Sequence, residues 1–133
     1  RVLRAVQAEF SCGFCTDAQG AQTIGRTFRE SRYLLDTHTA VACTVLDAYR
    51  SGTGDQTLTV VESTASPFKF CASVLDALGV TEHAPGTGVL GQLTAETGRP
   101  APKPLASLAG KPVRFDQVTD RGDMRAVVTE FLR

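Results

Sequence analysis

Residues 60–79, VVESTASPFKFCASVLDALG, decide the fold that we predict for this chain. They follow the β-branched run 57–61, which is typical of a strand buried on both faces of a parallel sheet. A turn then leads to Ser66, a favourable helix N-cap, and to Pro67, which suits the first helical position. Strand, turn and helix in this order form the unit of an α/β fold.

The helix predicted after Ser66 carries apolar residues at helical spacing and stops at Gly79, a residue common at helix ends. Its predicted buried stripe is Phe70, Cys71, Val74, Leu75 and Leu78.

Two further helices are predicted upstream of the strand. Thr16 and Gln19 have the spacing of a capping box, which predicts a helix from about Asp17 to Arg32. Asp36 is the predicted cap of a second helix that ends before Gly52. The inward face predicted for this second helix is His38, Val41, Ala42, Val45, Leu46 and Tyr49.

The remaining signals complete a predicted α/β protein. Alternation over residues 10–14 and the short run 111–115 predict two more strands, which gives a partial open sheet of about three strands flanked by helices. Such a sheet leaves edges unpaired, and the sole methionine is Met124, so we expect a piece of a longer protein.

Downstream, a short helix is predicted over residues 89–97, followed by a proline-rich connecting segment at 99–112. Its prolines at 100, 102 and 104 predict an extended conformation. A closing helix is predicted to begin near Asp120. The apolar face of the closing helix is Met124, Val127, Val128, Phe131 and Leu132.

Composition excludes several classes of function. Lys plus Arg (14) equals Asp plus Glu (14), so no net charge attracts nucleic acid or an anionic membrane surface. No apolar run approaches the roughly 20 residues that cross a bilayer, and the first residues lack the apolar centre of a signal peptide. We therefore expect a cytoplasmic protein that binds neither nucleic acid nor membrane.

The four cysteines are predicted to be structural. Cys12 and Cys15 have the spacing of a redox dithiol or of half a zinc site, but the next helix signal starts only at Thr16 and no paired histidines supply further ligands. Cys43 and Cys71 lie in helical stripes, where a free thiol behaves as a small apolar group. We expect no metal site.

The turn after the predicted strand is the candidate functional site, because ligands of open α/β sheets bind at the carboxyl ends of strands. The hydroxyls of Ser63, Thr64 and Ser66 precede a helix N-terminus, which suits a phosphate or a carboxylate. Lys69 in the first turn could face the same anion. From spacing alone, the favoured interpretation is an ordinary turn in which Ser66 caps the helix, Thr64 fills the turn and Lys69 is solvated.

Two blocks of sequence resemble bacterial threonine synthases. Residues 36–42, DTHTAVA, resemble a helix-start block of that family, and residues 63–70, STASPFKF, resemble its S-T-A-[SH]-P-x-K-F turn. The blocks follow the family's order, and the similarity extends over most of the chain. The resemblance implies the C-terminal part of an enzyme that converts O-phosphohomoserine and water into threonine and phosphate.

The resemblance also implies a cofactor, pyridoxal phosphate, and the fold shared with the tryptophan synthase β subunit. In such enzymes a hydroxyl residue bonds the pyridine nitrogen, and Thr64, with Ser63 second, occupies the matching turn. Lys69 matches the family's turn lysine, whose role the resemblance leaves open. Ser66 and Lys69 stay the candidates for an anion or substrate side on the ground of the helix N-terminus alone. His38 matches a family histidine that we interpret as a helix-start or packing residue.

The family's Schiff-base lysine block and glycine-rich phosphate cradle lie upstream and are absent from this sequence. We therefore expect one C-terminal fragment, residues 1–133, that supplies one wall of the cofactor site and has no catalytic residue and no activity alone. Its expected partners are the N-terminal remainder of the enzyme and the parent's small-molecule substrate, with a second copy in a homodimer as a further option. The alternatives are a stand-alone ligand-binding or interaction domain with an anion site at Ser66, and a distant dithiol enzyme.

Overall fold

The protein is described from a computed structural model over residues 2–133, and all regular structure in that range is helical. The α-helices are α1 (Val2–Glu9), α2 (Asp17–Ser31), α3 (Thr37–Thr53), α4 (Cys71–Ala77), α5 (Gly88–Thr97), α6 (Lys103–Ala106) and α7 (Met124–Phe131). Single 3₁₀ turns at Pro67–Lys69, Ser107–Gly110 and Arg121–Asp123 precede α4, follow α6 and precede α7.

Helix α2 confirms the capping-box prediction. The Thr16 side chain accepts from the Gln19 backbone N–H, and the Gln19 side chain accepts from the Thr16 backbone N–H at 2.8 Å. Two orphan donors at the helix start are thereby satisfied. The helix ends at Arg32, whose positive φ of 58° makes it a left-handed cap.

The core lies where α2, α4 and α5 meet the first turn of α3 and the segment before it. It contains Ile24, Phe28, Leu34, Leu35, Ala40, Phe68, Cys71, Val74, Leu75 and Leu93. The buried stripe predicted for residues 70–78 is confirmed, since Cys71, Val74 and Leu75 are buried and the two flanking residues are half-buried. This small core places the start of α3 beside the 3₁₀ turn that precedes α4.

The face predicted to be buried on α3 is largely wrong. Val41 and Tyr49 are exposed, whereas Thr39 and Ala40 are buried. Polar contacts join the side of α3 that faces α2. The Thr23 and Thr44 hydroxyl oxygens lie 2.8 Å apart, and Arg26 forms a 2.5 Å ion pair with Asp47. The apolar period showed a helix but not which side of it faces α2.

The prediction of an α/β fold with a three-stranded sheet is wrong, because no strand is present over residues 2–133. The predicted strands at 10–14, 57–61 and 111–115 have no ladder partner. Leu58 is 93% exposed and Val60 is 86% exposed, so this run is not buried on either face as a parallel strand would be. A β-branched pattern gives a tendency to extend, but only a neighbouring backbone turns an extended segment into a strand.

The segment after α3 is nevertheless held in place. Arg50 donates through Nη2 to the Thr57 carbonyl at 3.0 Å and to the Thr59 hydroxyl at 3.2 Å. The Tyr49 hydroxyl bonds Asp55 at 3.1 Å, and the other oxygen of that carboxylate accepts from the Thr57 backbone N–H. We call these contacts the Arg50 brace. They fix residues 55–59 against the end of α3.

The proline-rich segment 99–112 is only partly extended. Pro102 is extended, but helix α6 begins at the next residue with Pro104 at its second position, where the missing N–H is tolerated. Ala101 and Leu105 pack against the core.

Both terminal helices leave apolar side chains exposed. No helix was predicted over residues 2–9, where α1 lies. This helix exposes Val2, Leu3 and Val6. Helix α7 confirms the predicted closing helix, but it buries no residue, and Met124 and Phe131 are exposed. Neither helix contributes to the core.

Candidate functional site

The hydroxyl-rich turn of residues 63–66 lies on the surface beside the start of α3. Ser63 and Thr64 are exposed and Ser66 is half-buried. Ser66 caps the following 3₁₀ turn, with its side chain accepting from the Phe68 backbone N–H at 3.3 Å. Buried Phe68 anchors this turn, and the Cys71 thiol donates to its carbonyl oxygen at 3.2 Å.

A buried carboxylate connects this turn to α3. Asp36 is 1% exposed and caps the helix by accepting from the backbone N–H groups of His38 at 2.8 Å and Thr39 at 3.3 Å. Its Oδ2 also accepts from the Thr39 hydroxyl. The Ser63 hydroxyl lies 3.4 Å from the same Oδ2 and 3.0 Å from the Thr39 hydroxyl. These three side chains form what we call the Asp36 network.

The pKa of Asp36 lies below its ordinary value. Burial acts to raise the pKa, but the hydrogen bonds from the Thr39 side chain and from the backbone N–H groups of His38 and Thr39 outweigh it. The first turn of α3 adds the favourable field of a helix N-terminus. Asp36 is therefore a stably charged group in the interior.

We expect Asp36→Asn to lower the free energy of unfolding by about 1–2 kcal/mol at neutral pH, because charge-assisted hydrogen bonds are lost while an asparagine cap remains. Since the folded pKa is lowered, the contribution of the charge is present above the ordinary aspartate pKa of about 3.9 and is lost as pH falls through the folded pKa. Urea unfolding between neutral and acid pH should show the two proteins converging on acidification.

The matched control is Asp116→Asn, which removes an exposed carboxylate that forms no hydrogen bond or salt bridge within residues 2–133. It should leave the stability curve unchanged. A constant difference between wild type and Asp36→Asn down to the most acid pH would contradict the assignment of a lowered pKa to this carboxyl.

Thr64 differs from its neighbours in the turn. Within the described range its hydroxyl forms no hydrogen bond, whereas Ser63 and Ser66 both do. An exposed hydroxyl without a partner can donate to a ring nitrogen or accept from a ligand. Of the three hydroxyls in this turn, that of Thr64 is the one without a hydrogen-bond partner in the described range.

Lys69 is the last residue of the 3₁₀ turn that Ser66 caps. Its side chain is exposed and forms no salt bridge within residues 2–133. The turn is only three residues long and is followed by a break at Phe70, so Ser66 does not begin one continuous helix as the sequence predicted. The Ser66 cap and the position of Pro67 are confirmed.

His38 packs at the edge of the Asp36 network. Its ring centroid lies 5.0 Å from that of Phe70 with the planes tilted by 52°, and its Nδ1 lies 3.5 Å from Asp36. The side chain remains 67% exposed. The contact with Phe70 links α3 to the start of α4, which agrees with a packing role at a helix start.

The cysteines are free thiols over the described range. Cys12 is exposed and Cys15 is half-buried, and burial raises the pKa of both Cys43 and Cys71. Residues 2–133 contain no group of three or more histidine, cysteine or acidic side chains placed to hold a metal ion.

A cleft of about 430 Å³ lies between α2, α3 and α4, close to the turn. Ile24, Val41 and Phe70 give it apolar walls, and Thr37 and Ser73 add hydroxyls. Neither Thr64 nor Lys69 lines this cleft. The structure thus brings Ser63 together with α3, and it keeps the predicted ligand-facing residues on a separate outer surface.

Sequence reasoning missed the roles of Thr39 and of Asp36 beyond its cap. The signal was present in the block DTHT, where a hydroxyl residue follows an acidic cap by three positions. It could not show that Ser63, 24 residues further on, meets that hydroxyl. Such a contact depends on how the intervening helix turns back.

Together, the fold and the site define a small helical domain that presents a braced segment and a hydroxyl-rich turn instead of an enclosed active site. A family model described as threonine synthase, C-terminal, matches residues 39–129. The chain belongs to this family.

Individual relatives agree. Threonine synthase-like 1 of Mus musculus is 34% identical over 82 residues, which cover 61% of this chain and 10% of that protein. Threonine synthase-like 1 of Homo sapiens is 31% identical over 81 residues, again 61% of this chain and 10% of the relative. The matched region thus spans about a tenth of the length of these curated relatives.

Across residues 2–133, none of the helices combines the length and the apolar character needed to span a bilayer.

Proposed function

We propose that this chain is the C-terminal region of a threonine synthase and supplies one wall of a pyridoxal phosphate site through the turn of residues 63–66. Family membership supports the parent reaction, in which O-phosphohomoserine and water give threonine and phosphate. The observation that carries the proposal is the unpartnered, exposed Thr64 hydroxyl beside a turn that the Asp36 network holds in place.

Pyridoxal phosphate, when bound, supplies the electron sink for chemistry at the substrate's carbon atoms. The turn offers a partner for the cofactor's ring nitrogen but not for the rest of the cofactor. Thr64 can donate a hydrogen bond to an unprotonated pyridine nitrogen, whereas a carboxylate at that place would favour the protonated form. Of the carboxylates near the turn, Asp36 is buried and already accepts hydrogen bonds from α3, and Glu62 is the exposed residue directly before Ser63.

The rest of the site must come from a partner, which we propose is the N-terminal remainder of the enzyme. The chain's lysines lie at 69, 103 and 111, and Lys103 and Lys111 are on the proline-rich segment. Ser66 and Lys69 are proposed to face the anionic side of the substrate, because an exposed ammonium without an acidic partner attracts a phosphate group. The single fragment of residues 1–133 then acts as one structural unit of the parent.

Exposed apolar side chains support contact with that remainder. Leu58 on the braced segment, Val60 just after it and Phe131 on α7 are exposed, and such groups are commonly buried when a domain joins a larger protein. A homodimer is the competing arrangement, and it would be seen as concentration-dependent self-association of the isolated chain without any ligand.

Complementation tests the proposed function. We expect the 133-residue chain, co-expressed with the upstream part of a threonine synthase that lacks its own C-terminal region, to restore cofactor absorbance and phosphate release from O-phosphohomoserine. A Thr64→Val chain should restore less of both. If the wild-type chain restores neither, although the two parts associate, the proposed function is wrong.

The isolated chain should be inert. Incubated with pyridoxal phosphate and then borohydride, it should show no stoichiometric reduced adduct on a single lysine by peptide mass spectrometry. Lys69→Arg provides the control, because it removes the exposed primary amine nearest the turn while keeping the charge. A stoichiometric adduct on Lys69 that disappears in this variant would contradict the expectation and assign a reactive lysine to the chain.

A further inference from the structure

The Asp36 network gives the Ser63 hydroxyl two partners at the start of α3. An ionised carboxylate only accepts hydrogen bonds, and each hydroxyl has a single proton to donate. Asp36 Oδ2 and the Ser63 oxygen both lie within reach of the Thr39 hydroxyl as donor, the Ser63 oxygen at 3.0 Å. The Ser63 hydroxyl is in turn placed to donate to Asp36 Oδ2 at 3.4 Å.

The Ser63 hydroxyl therefore has its two side-chain partners within the network, whereas the Thr64 hydroxyl has none in the described range. A Ser63 hydroxyl that donates to Asp36 has no second proton for an external acceptor.

We propose that Asp36 and Thr39 are positioning residues that hold the Ser63 hydroxyl inward, so that Thr64 and not Ser63 presents the donor to the cofactor's ring nitrogen. This inference rests on the proposed function for the identity of that ligand. It separates two residues that resemblance to the family leaves as alternatives. Because consecutive Cα atoms are about 3.8 Å apart, fixing Ser63 also restricts the position of Thr64.

The anchor is tested on the isolated chain by backbone NMR relaxation. In wild type, the amides of Ser63 and Thr64 should have order parameters of about 0.85, and in Thr39→Val these should fall below about 0.6. Ser63→Ala should have the same effect with little risk to folding, because Ser63 is exposed. Thr39→Ser keeps the hydroxyl and should restore the wild-type values.

Thr44→Val is the matched control. It is the same substitution in the same helix, and it also removes a hydroxyl pair, the 2.8 Å contact with Thr23, but it does not touch the Asp36 network. Order parameters at Ser63 and Thr64 should stay at the wild-type values. Equal loosening in Thr39→Val and Thr44→Val, or none in either, overturns the anchor.

The choice between Thr64 and Ser63 is tested in the complemented enzyme by the dissociation constant for pyridoxal phosphate. Thr64→Val should raise it about fivefold, the size expected for one neutral hydrogen bond. Ser63→Ala and Thr39→Val should have smaller and equal effects, and the double variant should be no worse than either single one, because both changes break the same chain of bonds.

Two results would overturn this assignment. One is a larger effect of Ser63→Ala than of Thr64→Val, and the other is additivity of Ser63→Ala with Thr39→Val; each means that Ser63 contacts the ring directly. A complemented enzyme that binds no cofactor, while the NMR result holds, overturns the proposed function and leaves the anchor supported. Failure of the inference and failure of the proposed function are thereby distinguished.

Discussion

Replacement of Leu75 by alanine should lower the free energy of unfolding of the isolated chain by about 2–5 kcal/mol, whereas Leu58→Ala should change it by less than about 0.5 kcal/mol. Leu75 lies on the buried face of α4 and is 0% exposed, so truncation of its side chain leaves a cavity in the core. Leu58 projects into solvent on the braced segment and loses almost no contacts. Urea unfolding followed by circular dichroism measures both changes.

The same pair should behave differently in the complemented enzyme. There, Leu58→Ala should weaken association of the two parts, because the proposed contact with the remainder buries this side chain, at about 25 cal/mol per Å² of apolar area. Thr57→Ser, a neighbouring change that keeps the backbone contact of the Arg50 brace, is the control. If Leu58→Ala has no effect on assembly, the braced segment is not part of the interface.

Gly25→Ala should destabilise the chain by about 3 kcal/mol, at the upper end of the range for overpacking. A Cβ on Gly25 would lie 2.7 Å from the Ala77 carbonyl oxygen and 3.1 Å from the end of the Arg29 side chain. The arginine can rotate away, but the carbonyl belongs to the backbone of α4. Helices α2 and α4 would therefore have to separate.

Gly91→Ala is the matched control for this prediction. Gly91 also lies inside a helix, but nothing lies within 4 Å of its added Cβ. This change should stabilise the chain by about 0.5–1 kcal/mol, since alanine has the higher helix propensity. Thermal and urea unfolding that place both variants on the stabilised side would show that α2 and α4 are not in close contact at Gly25.

Local chemistry made several elements predictable. The capping box at Thr16 and the Asp36 cap act over three residues, so the helices they begin could be located from neighbouring residues alone. The stripe of α4 was also predictable, because its buried face repeats at helical spacing without interruption.

The sheet could not be predicted reliably for the opposite reason. Residues 57–61 have strand-like composition, but whether they pair depends on a backbone far away in sequence or in another chain. The orientation of α3 was missed because its contact with α2 includes the hydroxyl pair of Thr23 and Thr44, and hydroxyl pairs leave no apolar period. The candidate site was likewise predictable in part. Thr64 and Ser63 were identified by resemblance, whereas the contact of Ser63 with Thr39 required the folded chain.

The Arg50 brace reduces the conformational entropy that is lost when the domain joins a partner. Ordering a free backbone costs about 1–2 kcal/mol per residue in conformational entropy, which a disordered segment must lose when it binds. Residues 55–59 have lost part of that freedom before any partner arrives, since Arg50 and Tyr49 already hold them. Part of the conformational entropy lost on association is therefore already lost in the isolated domain, because Arg50 orders this segment before a partner binds.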